Sequence, residues 1–409
     1  MRLAIDGSHG TIPGGIRSYL ENLIPALLAA EPGLEVRVLR RGRTARSREA
    51  LPAGSRAVPL RWPRRLLDRL ENHVGWPTVE RFCGEVDVVH GTHFSLPRAR
   101  RGVPAILTVH DVAYLRHPEL YGDRRGNDYG YRYLLSHSLD RADRVIALAH
   151  RSKDDLVDAT GIPPERVWVV PHGIDPRFRP APAEAQLRAR RQVGIEGAFA
   201  IYPAGTITPR KNIGATLEAF ARAFPDDRTR PMLLITGPGE LPAGDRALAA
   251  RLGIAGELRA ASVEGPGELS ALLSAARFGL YPSLYEGFGL PPLEAMACGL
   301  PMLVSDRTAC PEMVGDAAAL ADPEDVEALA SAMRRLDGDE EWRAELRDRG
   351  ARRAADPAFS WLRAARQTLA VYRGDRSAFA AEADPLALPV STVSPAGAPE
   401  REPVPEPSR

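Results

Sequence analysis

The chain has 409 residues, 44% of them hydrophobic, and balances 54 Lys+Arg against 53 Asp+Glu for a net charge of +1. That length exceeds one ordinary domain and suits two of about 150 to 200 residues, each with its own core. The three cysteines, Cys83, Cys298 and Cys310, make neither a disulfide framework nor a zinc site, and no stretch approaches the roughly 20 apolar residues of a membrane span. A cytoplasmic setting, no resident metal and no nucleic-acid partner are therefore expected.

Met1-Arg2 leads straight into the apolar run Leu3–Asp6, which reads as a first strand and not as a targeting segment. Gly14-Gly15-Ile16 then opens an amphipathic helix carrying Leu20, Leu23, Ile24, Leu27 and Leu28. Further strands are predicted at 36–39, 86–90, 106–110, 145–147 and 167–171, and then at 200–204, 232–236, 278–282 and 302–305. Short apolar runs without alternation suit strands buried on both faces, and interleaved helices imply parallel crossovers. The fold class is thus α/β, with two doubly wound, Rossmann-like domains.

Charge is unevenly spread. Residues 1–178 hold 27 Lys+Arg against 21 Asp+Glu, or +6, and the remaining 231 residues hold 27 against 32, or −5. The excess gathers at Arg40, Arg41, Arg43, Arg46 and Arg48, then at Arg61, Arg64, Arg65 and Arg69 around Trp62, Leu66, Leu67 and Leu70. Such a mixture suits an anionic membrane surface or a charged acceptor, and it equally describes a solvated loop before an ordinary helix. The prolines Pro176, Pro180 and Pro182 mark a boundary. The expected layout is a first domain over 1–178, a linker and helix over 179–198, a second domain over 199–355, a crossing helix over 356–374 and a disordered tail over 375–409.

The most informative segment runs from Tyr281 to Pro301. A loop carrying Glu286, Gly287, Phe288 and Gly289 separates a buried strand from a helix that opens on Leu290-Pro291-Pro292 and ends at Gly299. Glu286 therefore sits in the loop and Glu294 on the helix. A strand, a glycine loop and a helix N-terminus form an anion site, and glycines let a diphosphate approach the backbone. Two carboxylates beside such a site suit hydroxyl-rich groups, so a nucleotide-sugar satisfies both halves of the pattern. A second segment, Tyr202 to Asn212, contains Gly205, Thr206, Arg210 and Lys211, and only Lys153 and Lys211 are lysines among 54 basic residues. An adjacent Arg and Lys at a strand end suit neutralisation of a departing diphosphate. His110 closes another strand, where parallel sheets present ligand-facing residues. The glycines near the N-terminus have the wrong spacing for a nicotinamide fingerprint.

Together these motifs resemble the retaining family-4 glycosyltransferases of the GT-B fold, over about residues 1–373. The carriers are Glu286-Gly-Phe-Gly-Leu-Pro-Pro-Leu-Glu294 with its Glu-x7-Glu spacing, and Gly205-Thr-Ile-Thr-Pro-Arg-Lys211-Asn. The resemblance implies two domains facing a cleft, a C-terminal helix crossing back to the first, and a nucleotide-sugar substrate with no cofactor. It implies that Glu286 contacts the transferred sugar and Glu294 the ribose hydroxyls. The amides of Gly287, Phe288, Gly289 and Leu290 would hold sugar and diphosphate, and Lys211 with Arg210 would stabilise the leaving group. Thr206 stands where many members carry arginine, which leaves Lys211 the firmer assignment. Gly237, in Thr236-Gly-Pro-Gly, resembles a turn near the nucleotide. Gly15 resembles the loop that meets donor phosphate or acceptor, and His110 the histidine beside the sugar. His93 is an acceptor-side candidate, and His172 reads as structural at the hinge. The implied activity is metal-independent hexosyl transfer to a glycan, lipid-linked or small-molecule acceptor. Mannose from GDP-mannose, as in bacterial surface-polysaccharide assembly, matches first. A rhamnosyl or other deoxysugar transferase, or a non-catalytic GT-B scaffold, is the alternative, and the basic first domain would give any peripheral contact with the inner membrane face.

Overall fold

A computed structural model describes residues 1–8, 15–41, 51–60, 66, 70–121, 125–380 and 386. Its strands are β1 (Arg2–Asp6), β2 (Glu35–Arg41), β3 (Ser55–Leu60), β4 (Val88–Gly91), β5 (Ala105–Thr108), β6 (Arg144–Ala147) and β7 (Val167–Val169), followed by β8 (Phe199–Pro203), β9 (Met232–Thr236), β10 (Leu258–Ala261), β11 (Phe278–Tyr281), β12 (Met302–Ser305) and β13 (Ala319–Ala321). They form two parallel sheets, ordered β3-β2-β1-β4-β5-β6-β7 and β10-β9-β8-β11-β12-β13. Both orders reverse at one point, between β1 and β4 and between β8 and β11. In open α/β sheets ligands bind outside the carboxyl ends of strands at such a point.

All ten strands predicted from the sequence are present. The three others, β3, β10 and β13, are sheet edges. β3 and β10 carry charged or exposed residues and so lack a continuous apolar run, whereas β13 lies in an alanine-rich run that suits a helix equally. β3 reads Ser-Arg-Ala-Val-Pro-Leu with half its residues exposed, and its proline is tolerated because an edge has a free side.

The helix Trp361–Arg373 leaves the second domain and lies across the first. Trp361, Ala364, Ala365, Leu369, Val371 and Tyr372 share a core with Leu3, Ile5, Leu23 and Ile24. Tyr372 shares a 2.7 Å hydrogen bond with His90 Nδ1, and Arg373 pairs with Glu31 at 2.6 Å. Ser377–Ala380 adds a short turn of helix at the start of the expected tail, where Phe379 meets Trp168 with ring centroids 5.1 Å apart. Residues 381–385 and 387–409 of that tail lie outside the described residues. So do Gly14 and the basic residues Arg43, Arg46, Arg48, Arg61, Arg64, Arg65 and Arg69. Arg40 is buried in β2, which removes it from the basic surface expected there. Among the described residues no helix is long and apolar enough to cross a membrane.

The chain passes between domains at Pro171–Asp175, directly beneath the crossing helix. Ile174 N donates to Phe359 O at 2.9 Å, and a Cβ on Gly173 would lie 2.2 Å from Trp361 N. Neither backbone can yield without displacing the helix. Gly173→Ala should therefore cost about 1–3 kcal/mol. Urea unfolding would show this as a lower midpoint at unchanged slope.

Candidate functional site

Because β8 and β11 are neighbours, the segments leaving their carboxyl ends meet. From β8 the chain runs through Gly205, whose φ of +67° suits glycine, into a 3-10 turn, Pro209–Lys211. From β11 it runs through Glu286 to Gly289, with φ of +94°, and into the helix Leu290–Ala297. Lys211 Nζ donates to Glu286 Oε1 at 2.7 Å and to the Tyr281 hydroxyl at 2.5 Å. Arg210 donates to Glu286 Oε2 at 2.7 Å and to Tyr285 O at 3.1 Å. Lys211 and Glu286 are 3% and 7% exposed, so this charge network is shielded from water.

Burial pushes the Glu286 carboxyl up, but Arg210 and then Lys211 outweigh it and hold its pKa at about 2. Burial pulls the Lys211 ammonium down, against the attraction of Glu286. Two cations facing one carboxylate leave a local charge of +1 beside a helix N-terminus, which suits an anion. Pro291 and Pro292 remove two of the amides that a helix start would offer. The N–H groups of Gly287, Phe288, Gly289 and Leu290 find no acceptor among the described residues, so the loop supplies the free donors.

Glu294 lies on that helix, 8% exposed and without a hydrogen bond to its carboxyl among the described residues. Burial, with a smaller push from Asp175, raises its pKa to about 8. Gly237 ends β9, where a Cβ would stand 3.0 Å from Gly205 O, so these two turns lie side by side while Thr206 is exposed. Gly15 is the exposed first residue of the helix Gly15–Ala30.

Across the cleft, the backbone of His110 and Asp111 presses on the loop. A Cβ on Gly287 would lie 1.9 Å from His110 O, so glycine is required there by contact. The His110 ring shares a 3.0 Å hydrogen bond with Thr92 O and stands edge-on to Tyr19, with centroids 5.1 Å apart. His172 stacks on Tyr19 at 4.9 Å, stands 5.6 Å from the His110 ring and meets Phe288 at 5.2 Å, which places it in the packed hinge. Its Nε2 is buried without a partner, and burial lowers its pKa. His90 is enclosed between Tyr372 and Thr108, and burial lowers its pKa to about 3. His93 sits apart, against Phe94 at 4.1 Å, at the end of β4.

The sequence motifs did not point to Tyr121, which the field of Arg210, Glu286 and Asp111 reaches from the first domain. Nor did they point to Ser152 or Asp155, whose helix His150–Thr160 touches the loop. Tyr285 donates to Asp155 Oδ2 at 2.9 Å, and Ser152 Oγ donates to Gly287 O. Single polar residues on an amphipathic helix carry no local signal of such cross-domain contacts. Among the described residues no three His, Cys, Asp or Glu side chains gather as a metal site.

Two Rossmann-like domains, with buried charged residues gathered at the β8/β11 switch point of the second, are the architecture of a glycosyltransferase of the GT-B class. The chain belongs to the family-4 glycosyltransferases. Residues 13–178 match the profile described as Glycosyltransferase Family 4, and residues 186–353 that of Glycosyl transferases group 1. It is 33% identical over 292 residues to the O-antigen chain mannosyltransferase B of Escherichia coli, covering 70% of this chain and 74% of that one. It is 34% identical over 310 residues to the MMP alpha-(1->4)-mannosyltransferase of Mycolicibacterium hassiacum, covering 71% of each. To the D-inositol 3-phosphate glycosyltransferase of Geodermatophilus obscurus it is 35% identical over 337 residues, covering 77% and 72%. Its fold is similar to that of sucrose-phosphate synthase from Thermosynechococcus elongatus, with a TM-score of 0.71, 21% identity and coverage of 93% and 100%. WaaG, a glycosyltransferase involved in lipopolysaccharide biosynthesis, gives a TM-score of 0.70 at 20% identity, with coverage of 91% and 100%.

The Glu294 environment has a measurable consequence. Between its ordinary value of 4.5 and its folded value of about 8, the native chain holds a proton that the unfolded chain has released. The contribution to stability is full below that window and is lost as pH rises through it. Urea unfolding from pH 5 to 9 should show the decline, and Glu294→Gln should flatten it and exceed wild type above pH 8.

Proposed function

We propose that this glycosyltransferase is a retaining, metal-independent hexosyltransferase that uses a nucleotide diphosphate sugar. GDP-mannose is the first candidate donor, and the acceptor is a glycan, a lipid-linked sugar or a small molecule. The buried Glu286–Lys211–Arg210 network at the β8/β11 switch point carries this reading. Its cations stand where a leaving diphosphate would gather charge, and they supply what a divalent ion supplies in other enzymes. Glu286, held ionised, accepts hydrogen bonds from sugar hydroxyls and keeps the ring against the loop. Glu294 faces the ribose hydroxyls, and the free amides from Gly287 to Leu290 receive the diphosphate.

Departure of the diphosphate leaves oxocarbenium character on the anomeric carbon. The acceptor hydroxyl attacks from the same face, its oxygen forming the new glycosidic bond. Its proton passes to the departing phosphate oxygen, so the stereochemistry is retained without a covalent nucleophile. His110 lines the sugar's other side. Two relatives named as mannosyltransferases support a mannosyl donor. The relative named for inositol 3-phosphate supports a small-molecule acceptor.

The donor assignment is tested with purified protein in EDTA against GDP-mannose, UDP-glucose, UDP-N-acetylglucosamine and dTDP-rhamnose, scoring thermal shift and slow hydrolysis. GDP-mannose should respond most strongly, and a response to dTDP-rhamnose alone would replace it with a deoxysugar. Loss of the response in EDTA would remove metal independence. Glu286→Gln should lower turnover by about 100- to 1,000-fold. Nucleoside diphosphate affinity should hold or tighten, because Lys211 and Arg210 lose their counter-charge. Retained turnover would take Glu286 out of the reaction.

A further inference from the structure

The helix His150–Thr160 belongs to the first domain, yet three of its contacts fall on the second domain around the Glu286 loop. Glu312, on the second-domain helix Cys310–Val314, accepts from the N–H groups of His150 at 2.9 Å and Arg151 at 2.7 Å, satisfying two free amides of the helix start. In the same first turn, Ser152 Oγ donates to the carbonyl of Gly287. One turn on, Asp155 accepts from the hydroxyl of Tyr285, the residue before Glu286. Ser152 and Asp155 are 5% and 2% exposed, so both bonds are shielded from water.

The Ser152 bond fixes more than a carbonyl. The peptide joining Gly287 to Phe288 is planar, and in a trans peptide the C=O and the N–H point in opposite directions. A carbonyl held toward the first domain therefore turns the Phe288 N–H away from it. That N–H has no acceptor among the described residues, although Phe288 is itself buried. Rotating the peptide would strand the carbonyl and redirect the amide together.

We propose that Ser152 is a positioning residue that aims the Phe288 amide at the diphosphate of the donor, so that the first domain completes the phosphate cradle of the second. The inference rests on the nucleotide-sugar reading above. Tyr285–Asp155 anchors the neighbouring residue of the same loop, and Glu312 seats the helix that carries both partners. The cradle is thus assembled only when the two domains are together, and diphosphate binding favours that arrangement in return.

The test compares nucleoside diphosphate with nucleoside monophosphate binding by calorimetry on the full-length protein, using GDP with GMP and UDP with UMP. Ser152→Ala should weaken the diphosphate by about five- to tenfold and leave the monophosphate within about twofold. Ser152→Thr, which keeps the hydroxyl, should restore the diphosphate preference. Should Ser152→Ala fail to fold, Tyr285→Phe should show the same selective loss. Equal weakening of both nucleotides, or no weakening, in a folded variant overturns the proposal alone. Wild-type protein that binds neither nucleotide overturns the donor reading together with it.

Discussion

The site depends on one buried carboxylate. Glu286 has two cations on its oxygens, and their attraction exceeds the cost of keeping a charge away from water. Removing either cation would leave a charge uncompensated, which is the costly way to break a buried pair. The same arrangement serves chemistry. In the proposed reaction the cations, already held at the loop by Glu286, would need no reorganisation as phosphate charge develops. Adjacency of β8 and β11 brings the three side chains together across a sequence distance of 75 residues for Lys211 and Glu286.

Around this network the two domains are joined by contacts of different kinds. The Gly287 backbone lies so close to His110 that no side chain fits, and the hinge glycine Gly173 is pressed against Trp361 in the same way. Tyr19, His110, His172 and Phe288 continue the contact as a chain of rings. Hydrogen bonds from Ser152 and Tyr285 add direction to what packing supplies as proximity. The Glu286–Gly289 loop is therefore shaped from both sides.

Much of this was legible in the sequence, for identifiable reasons. Most interior strands announce themselves as apolar runs, β2 with Arg37 inside it being less clean, and every one of them was found. β3 and β10 were missed because charged or exposed residues interrupt their runs, and β13 because an alanine-rich segment suits a helix as well. Glu286, Glu294, Arg210 and Lys211 were readable because glycines and prolines punctuate their segments at fixed spacing. The pairing of Glu286 with Lys211 was not, since it follows from strand order. The imidazoles were hardest to rank. His110 keeps a place at the cleft, whereas His90, on the neighbouring strand β4, is sealed between Tyr372 and Thr108. Arg40 belongs to a basic run by composition, yet its place in β2 buries it. Position in a run says little about which face of a strand a charge occupies.

The crossing helix also bears on how the chain can be divided. Trp361–Arg373 supplies part of the core under β1 and the helix Gly15–Ala30, so residues 1–178 are not a self-sufficient module. During synthesis the first domain must wait for the helix Trp361–Arg373 to leave the ribosome before its core is filled. A chimera that exchanges the first domain between relatives must therefore carry two pieces of one parent, the amino-terminal domain and its own carboxyl-terminal helix.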